Sequence, residues 1–319
     1  MTNETKLNGD TEESLALLLR GEANDELKAC VPTEEEERRG LVAASGSRVY
    51  CIEEGRKAIP AVKLGKDITS LVYSSRTLFA ACDGWNFNSG EIVDVSRRKP
   101  VAEGVVCYQL IPFQDSIAGV TRDGKIMDFG RRKKIADADY KTFSPLCSDG
   151  NSLFHADKQG VVYDTLEHRA IGKLEERAWC LHPHNDDILA GTFGKIVSVK
   201  DNRVIGTIPD FRGPVTEICT EGDRIFYLTM CDGAVQEVTG HKRLLTLYAT
   251  RILADKGKLY AGRQDGKVMI RPLDGPADGR MEVKAVSEIG YGFSKPITAM
   301  AMVPMSLWEE LAANNGRGI

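Results

Sequence analysis

The sequence predicts an all-β chain: a seven-bladed β-propeller of four-stranded antiparallel blades, its ring closed by a terminal strand, with short helical tails at both ends. Three observations predict it. A Gly-centred turn returns at Gly46, Gly90, Gly124, Gly160, Gly194, Gly233 and Gly266, and from Gly90 onward the steps are 34, 36, 34, 39 and 33 residues. Each turn lies between two β-type segments, and each unit holds two further short apolar runs. A period of about 35 to 45 residues built only of strands is what propellers show.

Within each unit the segment before the turn reads LVAAS, TLFAAC, SIAGVT, SLFHAD, DILAGT, RIFYLT and KLYAGR, and five of the seven carry Ala or Gly at or just past the centre. Small residues there let neighbouring sheets approach near a crowded axis. The segment after the turn, as in GKIMDF or GVVYDT, alternates like a strand with one face buried. The turns between them call for positive φ, supplied by Asp123-Gly124, Asp232-Gly233 and Asp265-Gly266. A third run follows (PVAEGV, AIGKL, VIGTI), and a short strand such as ITSLVYS or VTEICTE opens the next unit. Eight candidate opening strands serve seven hairpins. The C-terminal Ile297 to Val303 is expected to complete the blade formed by residues 40 to 64, because joining the ends removes open sheet edges; the rival is a blade beginning at Leu27.

Ladders such as SIAGVTRDGKIMDF and KLYAGRQDGKVMIRP resemble the central hairpin of WD-repeat propellers over about residues 26 to 304. No unit has the Trp-Asp dipeptide, and the one Gly-His, Gly240-His241, falls in another part of its unit. The resemblance is to a divergent member of that class. It implies a rigid disc that binds partners on the face bearing the hairpin loops, and no residue role transfers directly.

Residues 1–39 form an acidic, partly helical segment with 11 Asp/Glu against 5 Lys/Arg, a net −6 in a chain of net −4. ESLALLLRGEANDEL within it has the leucines of a short amphipathic helix. The propeller spans 40–304, or begins near 26. Residues 305–319 read as one or two helical turns that pack Trp308 and Leu311 on the ring. No stretch has the roughly 18 apolar residues of a membrane span, and the N-terminus lacks a secretory pattern, so a cytoplasmic location without membrane contact is expected. The eight cysteines have no CxxC pair and read as reduced core thiols.

Candidate partner-binding residues fall in two groups. Basic clusters precede each unit's last strand: Arg56-Lys57, Arg97 to Lys99, Arg131, Arg132, Lys133 and Lys134, His168-Arg169, Arg203, and His241 to Arg243. Equivalent positions in a ring share one face, so these form a rim fitted to an acidic protein, a nucleic-acid backbone or the chain's own acidic tail. On the opposite face the swollen loop CDGWNFNSG carries Trp85 and Phe87. Aromatic pairs of that kind act as hot spots. The resemblance to WD-repeat propellers implies that the loops bearing Arg122, Lys158, Phe193 and Arg263 share that face, together with Tyr140, Arg177, Phe211, Arg212, Arg251 and Phe293. Catalytic, cofactor and metal residues are expected to be absent: no GxSxG, P-loop, HExxH or EF-hand spacing occurs, and His182 and His184 read as a loop pair around Pro183. The expected function is a non-catalytic protein-interaction scaffold. The alternatives are a hydrolase or lactonase-type enzyme with a dispersed site at the channel mouth, and a nucleic-acid or acidic-partner binder using the basic rim.

Overall fold

The computed structural model describes residues 38–54, 56, 58–83, 89–138, 144–208, 213–230, 233–239, 242–245, 248–274, 283–285 and 295–314. These form seven four-stranded antiparallel sheets. From the axis outward, blade 1 is Ile297–Pro304, Arg39–Ser45, Arg48–Ile52 and Ile59–Lys63; blade 2 is Asp67–Ser74, Thr77–Asp83, Glu91–Asp94 and Lys99–Glu103. Blade 3 is Cys107–Phe113, Ser116–Thr121, Lys125–Asp128 and Lys133–Asp137; blade 4 is Leu146–Ser148, Leu153–Ala156, Val161–Asp164 and Arg169–Lys173. Blade 5 is Cys180–His184, Asp187–Gly191, Lys195–Ser198 and Arg203–Thr207; blade 6 is Val215–Glu221, Arg224–Thr229, Val235–Glu237 and Lys242–Leu245. Blade 7 is Ala249–Asp255, Lys258–Arg263, Lys267–Pro272 and Val283–Ala285. Within each blade the strands are lettered A to D from the axis. The B–C turns and D–A connections make the upper face, and the A–B and C–D turns the lower.

Closure follows the expected route. The A strand of blade 1 comes from the C-terminus and pairs with the B strand from the start of the ring, with Leu41 opposite Met302 and Ala43 opposite Met300. The helix Met305–Ala313 then turns back beneath blade 1 and buries Trp308 and Leu311. Trp308 Nε1 donates to Leu41 O at 3.2 Å, and the two side chains join the cluster of Val42, Cys51, Leu78 and Val303. The candidate strand near 27 to 32 and the N-terminal helix lie outside the described residues.

Burial peaks in the B strands, which are pressed between neighbouring sheets, while A strands such as Cys180–His184 and Val215–Glu221 border the channel and are partly exposed. The B strand SIAGVT is buried at all six positions, whereas the D strand KPVAE is exposed or half-buried throughout. The small residues in the B strands have the expected cause. A Cβ on Gly191 would lie 2.5 Å from Cys180 Sγ and 2.8 Å from Val215 Cγ1 of the next blade, closer than real Cβ atoms come. The recurring turn glycine has two duties. Gly124 and Gly160 sit at φ 83° and 79°, open to glycine at no cost. Their carbonyls accept from Ala138 N at 2.6 Å and Leu174 N at 2.9 Å, and Gly90, Gly194 and Gly233 accept the equivalent bonds, so each turn holds the connection leaving its own blade.

Placing a side chain against the next blade should cost what overpacking costs. Gly191→Val is expected to lower unfolding free energy by about 1–3 kcal/mol in urea titration. Gly65→Ala should be near neutral, since no atom lies within 4 Å of its Cβ position.

Candidate functional site

The A strands surround a central channel of about 420 Å³ that opens beneath the upper face. Much of its polar lining ties one blade to the next. Thr69 Oγ1 donates to Cys107 O at 3.0 Å, Gln109 Nε2 to Leu146 O at 2.9 Å, and Thr250 Oγ1 to Ile297 O at 2.6 Å. Leu110 N donates to Ser70 Oγ at 3.0 Å, Cys180 Sγ to Val215 O at 3.4 Å, and Ile252 N to Glu217 Oε2 at 2.9 Å. Burial raises the Glu217 carboxyl above its ordinary range, against the pull of Arg251 and the Ile252 amide.

His182 and His184 do not occupy a loop. Both lie on the A strand of blade 5, paired with Leu189 and Asp187, because Pro183 extends rather than breaks an inner strand. His182 Nε2 is 3.1 Å from Thr220 Oγ1 of blade 6, and burial, aided by His184, pushes its pKa down to about 4. It is a neutral inter-blade link. Among the described residues no group of three or more His, Cys, Asp or Glu is placed to hold a metal.

The upper face beside the channel is uneven. Five large hydrophobic residues are well exposed among the described residues, and three of them, Phe193 (51%), Met230 (60%) and Tyr248 (64%), lie here on blades 5 to 7. The backbone links them. Phe193 forms a bridge with Pro214, whose carbonyl accepts from Met230 N at 3.1 Å, and Gly233, in the turn that follows Met230, lies against the backbone of Tyr248. Tyr248 O in turn accepts from Gln264 N at 3.0 Å. Trp179 borders the row at the channel mouth with the Arg177 guanidinium 4.4 Å from its ring centroid, and Arg251 lines the same mouth.

Of the residues expected on this face, Phe193 belongs to the apolar row. Arg122 and Lys158 occupy the B–C turns of blades 3 and 4, away from it, and both are exposed. Arg263 ends the B strand of blade 7, mostly covered and ion-paired with Asp265 at 2.9 Å. Trp85, Phe87, Tyr140, Phe211, Arg212 and Phe293 lie outside the described residues. Met230, Tyr248 and Trp179 escaped sequence reasoning because YLTMCDG, LTLYAT and AWCLHPH read as continuous apolar strand, with nothing to mark which residue steps out of the ladder.

The basic clusters do share the lower face. Their C–D turns are anchored by buried acids: Asp94 Oδ1 accepts Arg97 N, and Asp128 Oδ1 accepts Arg131 N, each at 3.0 Å. The same acids pair with the guanidinium groups of Arg97 at 3.4 Å and Arg131 at 3.2 Å, and Lys134 pairs with Asp137 at 2.6 Å. Arg98 and Arg132 take positive φ of 52° and 54°, so their side chains leave a tight turn. Arg132 Nη2 donates to Val101 O of blade 2 at 3.4 Å, and Lys133 is exposed.

No protein-family profile matches the sequence, and no curated protein does. Solved structures resemble it in shape. A computationally designed protein, Ika8, superposes with a TM-score of 0.50 at 12% identity, covering 76% of this chain and 93% of its own. BamB from Moraxella catarrhalis gives 0.49 at 14% identity over 77% of this chain and 85% of its own; a chain of a nidogen/laminin complex gives 0.48 at 11% over 83% and 98%. Identities this low speak to the fold alone.

The His182 link has a pH signature. The folded chain holds this imidazole neutral down to about 4, while the unfolded chain protonates it near 6.5. The stabilisation is therefore complete above about pH 6.5 and is lost as pH falls to about 4, a loss of about 3 kcal/mol. Urea midpoints measured across that window should slope less in His182→Gln than in the parent; equal slopes would remove His182 from the account.

Proposed function

We propose that this chain is a cytoplasmic, non-catalytic interaction scaffold, a divergent WD-repeat-like disc that docks a protein partner on the upper face of blades 5 to 7. The observation carrying the reading is the grouping of Phe193, Met230 and Tyr248 on three consecutive blades at the channel mouth. Exposed apolar groups are ordinary when scattered; gathered on a rigid face they mark a docking surface. Arg177 and Arg251 border the row, which suits a partner segment presenting an apolar anchor flanked by carboxylates.

Two further observations support the reading. The channel's polar groups are largely spent on inter-blade hydrogen bonds, which favours rigidity over a reacting centre. Cys51, Cys82, Cys107, Cys147 and Cys219 are buried free thiols, with Cys51, Cys82 and Cys107 pushed up to about 12 by burial, as suits a reducing compartment. No helix among the described residues is long and apolar enough to cross a membrane.

A photoreactive residue at Phe193 should crosslink a discrete partner in cells. Tyr248→Asp should weaken that capture by about 30-fold or more without moving the melting temperature. Leu166→Asp, an equivalent change to an exposed apolar residue on the lower face, should leave it intact. Equal effects of the two substitutions would sink the upper-face assignment.

A further inference from the structure

The basic rim is not an even ring. In blade 1 Arg56 pairs with Glu53 at 3.2 Å and Glu54 takes Lys258 at 2.6 Å; in blade 4 Arg169 faces Glu167 at 3.4 Å; in blade 5 Asp201 separates Lys200 from Arg203. Among the described residues, consecutive cations of this rim stand on blades 2, 3 and 6, the last being Lys242-Arg243, and those whose exposure is described lie on blades 2 and 3. There Arg98, Lys99, Arg132 and Lys133 are exposed beside one another on the lower outer wall.

Between the same two blades a groove of about 1000 Å³ climbs the outside of the ring. Its sides are the D strand of blade 2 and the C strand of blade 3, and its floor is apolar, with Val101, Val105, Met127 and Phe129. Arg132 stands at the lower end; at the upper end Arg122 and Lys125 stand among Glu103 and Asp123, so the net positive charge is at the lower end. An amphipathic segment with leucines on one face and carboxylates held toward the lower end would match this groove in polarity and charge.

We propose that the groove seats the chain's own N-terminal segment, residues 12–27, with the blade 2 and blade 3 cations as its electrostatic anchor. Residues 1–37 carry 11 Asp/Glu against three Lys/Arg, and Leu15, Leu17, Leu18 and Leu19 stand between Glu12-Glu13 and Glu22. The path is available. The described chain begins on the lower face, the face of the cations: Arg38 O accepts Met305 N at 2.9 Å, and Arg39 pairs with Asp255 at 3.2 Å. Blade 1, which Arg38 enters, adjoins blade 2. The ten residues from Lys28 to Glu37 span up to about 35 Å when extended, enough for the two inter-sheet spacings of about 10 Å and the two strand spacings of about 4.8 Å that separate the B strand of blade 1 from the groove. The contact is intramolecular and so has a high effective concentration. It is independent of the upper-face surface.

Zero-length carbodiimide coupling of carboxylates to lysine amines in the full-length protein, mapped by mass spectrometry, tests this. Glu12, Glu13, Glu22, Asp25 and Glu26 are expected to couple chiefly to Lys99 and Lys133, with yields unchanged on about tenfold dilution because the contact is intramolecular. Arg98→Glu with Arg132→Glu should lower those yields by about fivefold, as should about 0.5 M salt. Leu17→Asp with Leu18→Asp should do the same while the melting temperature holds, separating docking from folding. Coupling spread over lysines of other blades, coupling that vanishes on dilution, or yields indifferent to the Arg98 and Arg132 reversals would overturn the proposal. So would absent coupling in a chain that binds a labelled single-stranded oligonucleotide and loses it on those reversals, which would assign the patch to nucleic acid.

Discussion

The ring depends on the antiparallel pairing of Ile297–Pro304 with Arg39–Ser45. Every blade buries its two faces against neighbours, so the arrangement is complete only when the last neighbour meets the first. The C-terminal strand supplies the A position of blade 1 and contacts the A strands of blades 2 and 7, closing the circle of inner strands. The following helix seals the seam from below. Trp308 packs into the cluster shared by blades 1 and 2, and its indole N–H is satisfied by Leu41 O. Side chains near the axis extend the seam, since Thr250 bonds Ile297 O and Lys295 reaches Asp67 at 3.1 Å.

This constraint explains why the surface is where the chain has latitude. B strands must be small where the next blade approaches, as at Gly191 and Gly262, and turn glycines must hold the outgoing connection. Side chains in the turns meet fewer demands. The apolar row on blades 5 to 7 and the cationic patch on blades 2 and 3 are both departures from the repeat, on opposite faces, and a rigid disc can present two such surfaces without either disturbing the other.

The period and the closing strand were legible because both are dictated by backbone needs that leave a residue-type mark: glycine at the turns, small residues in the B strands, and a surplus apolar run at the C-terminus. The common face of the basic clusters followed from the same ruler. Their imbalance did not. Which Arg is spent on a turn-anchoring acid depends on contacts across strands, as blades 3 and 5 make plain. In blade 3 Ser116 on the B strand donates to Asp128 on the C strand; in blade 5 the roles are exchanged, with Ser198 donating to Asp187. The network is the same, yet its residues swap strands, and no linear alignment displays that. Met230 and Tyr248 were hidden for a related reason: strand composition does not say which apolar residue ends outside the ladder.

The most direct test of the closed ring is amide hydrogen exchange of the native protein over residues 39–45 and 297–304. If these two strands are the seam of one cooperative unit, their amides should exchange among the slowest in the chain and with one common opening free energy, responding together to denaturant. Fast exchange of 297–304 while 39–45 remains protected would mean that the C-terminal strand is an accessory, and would contradict the account.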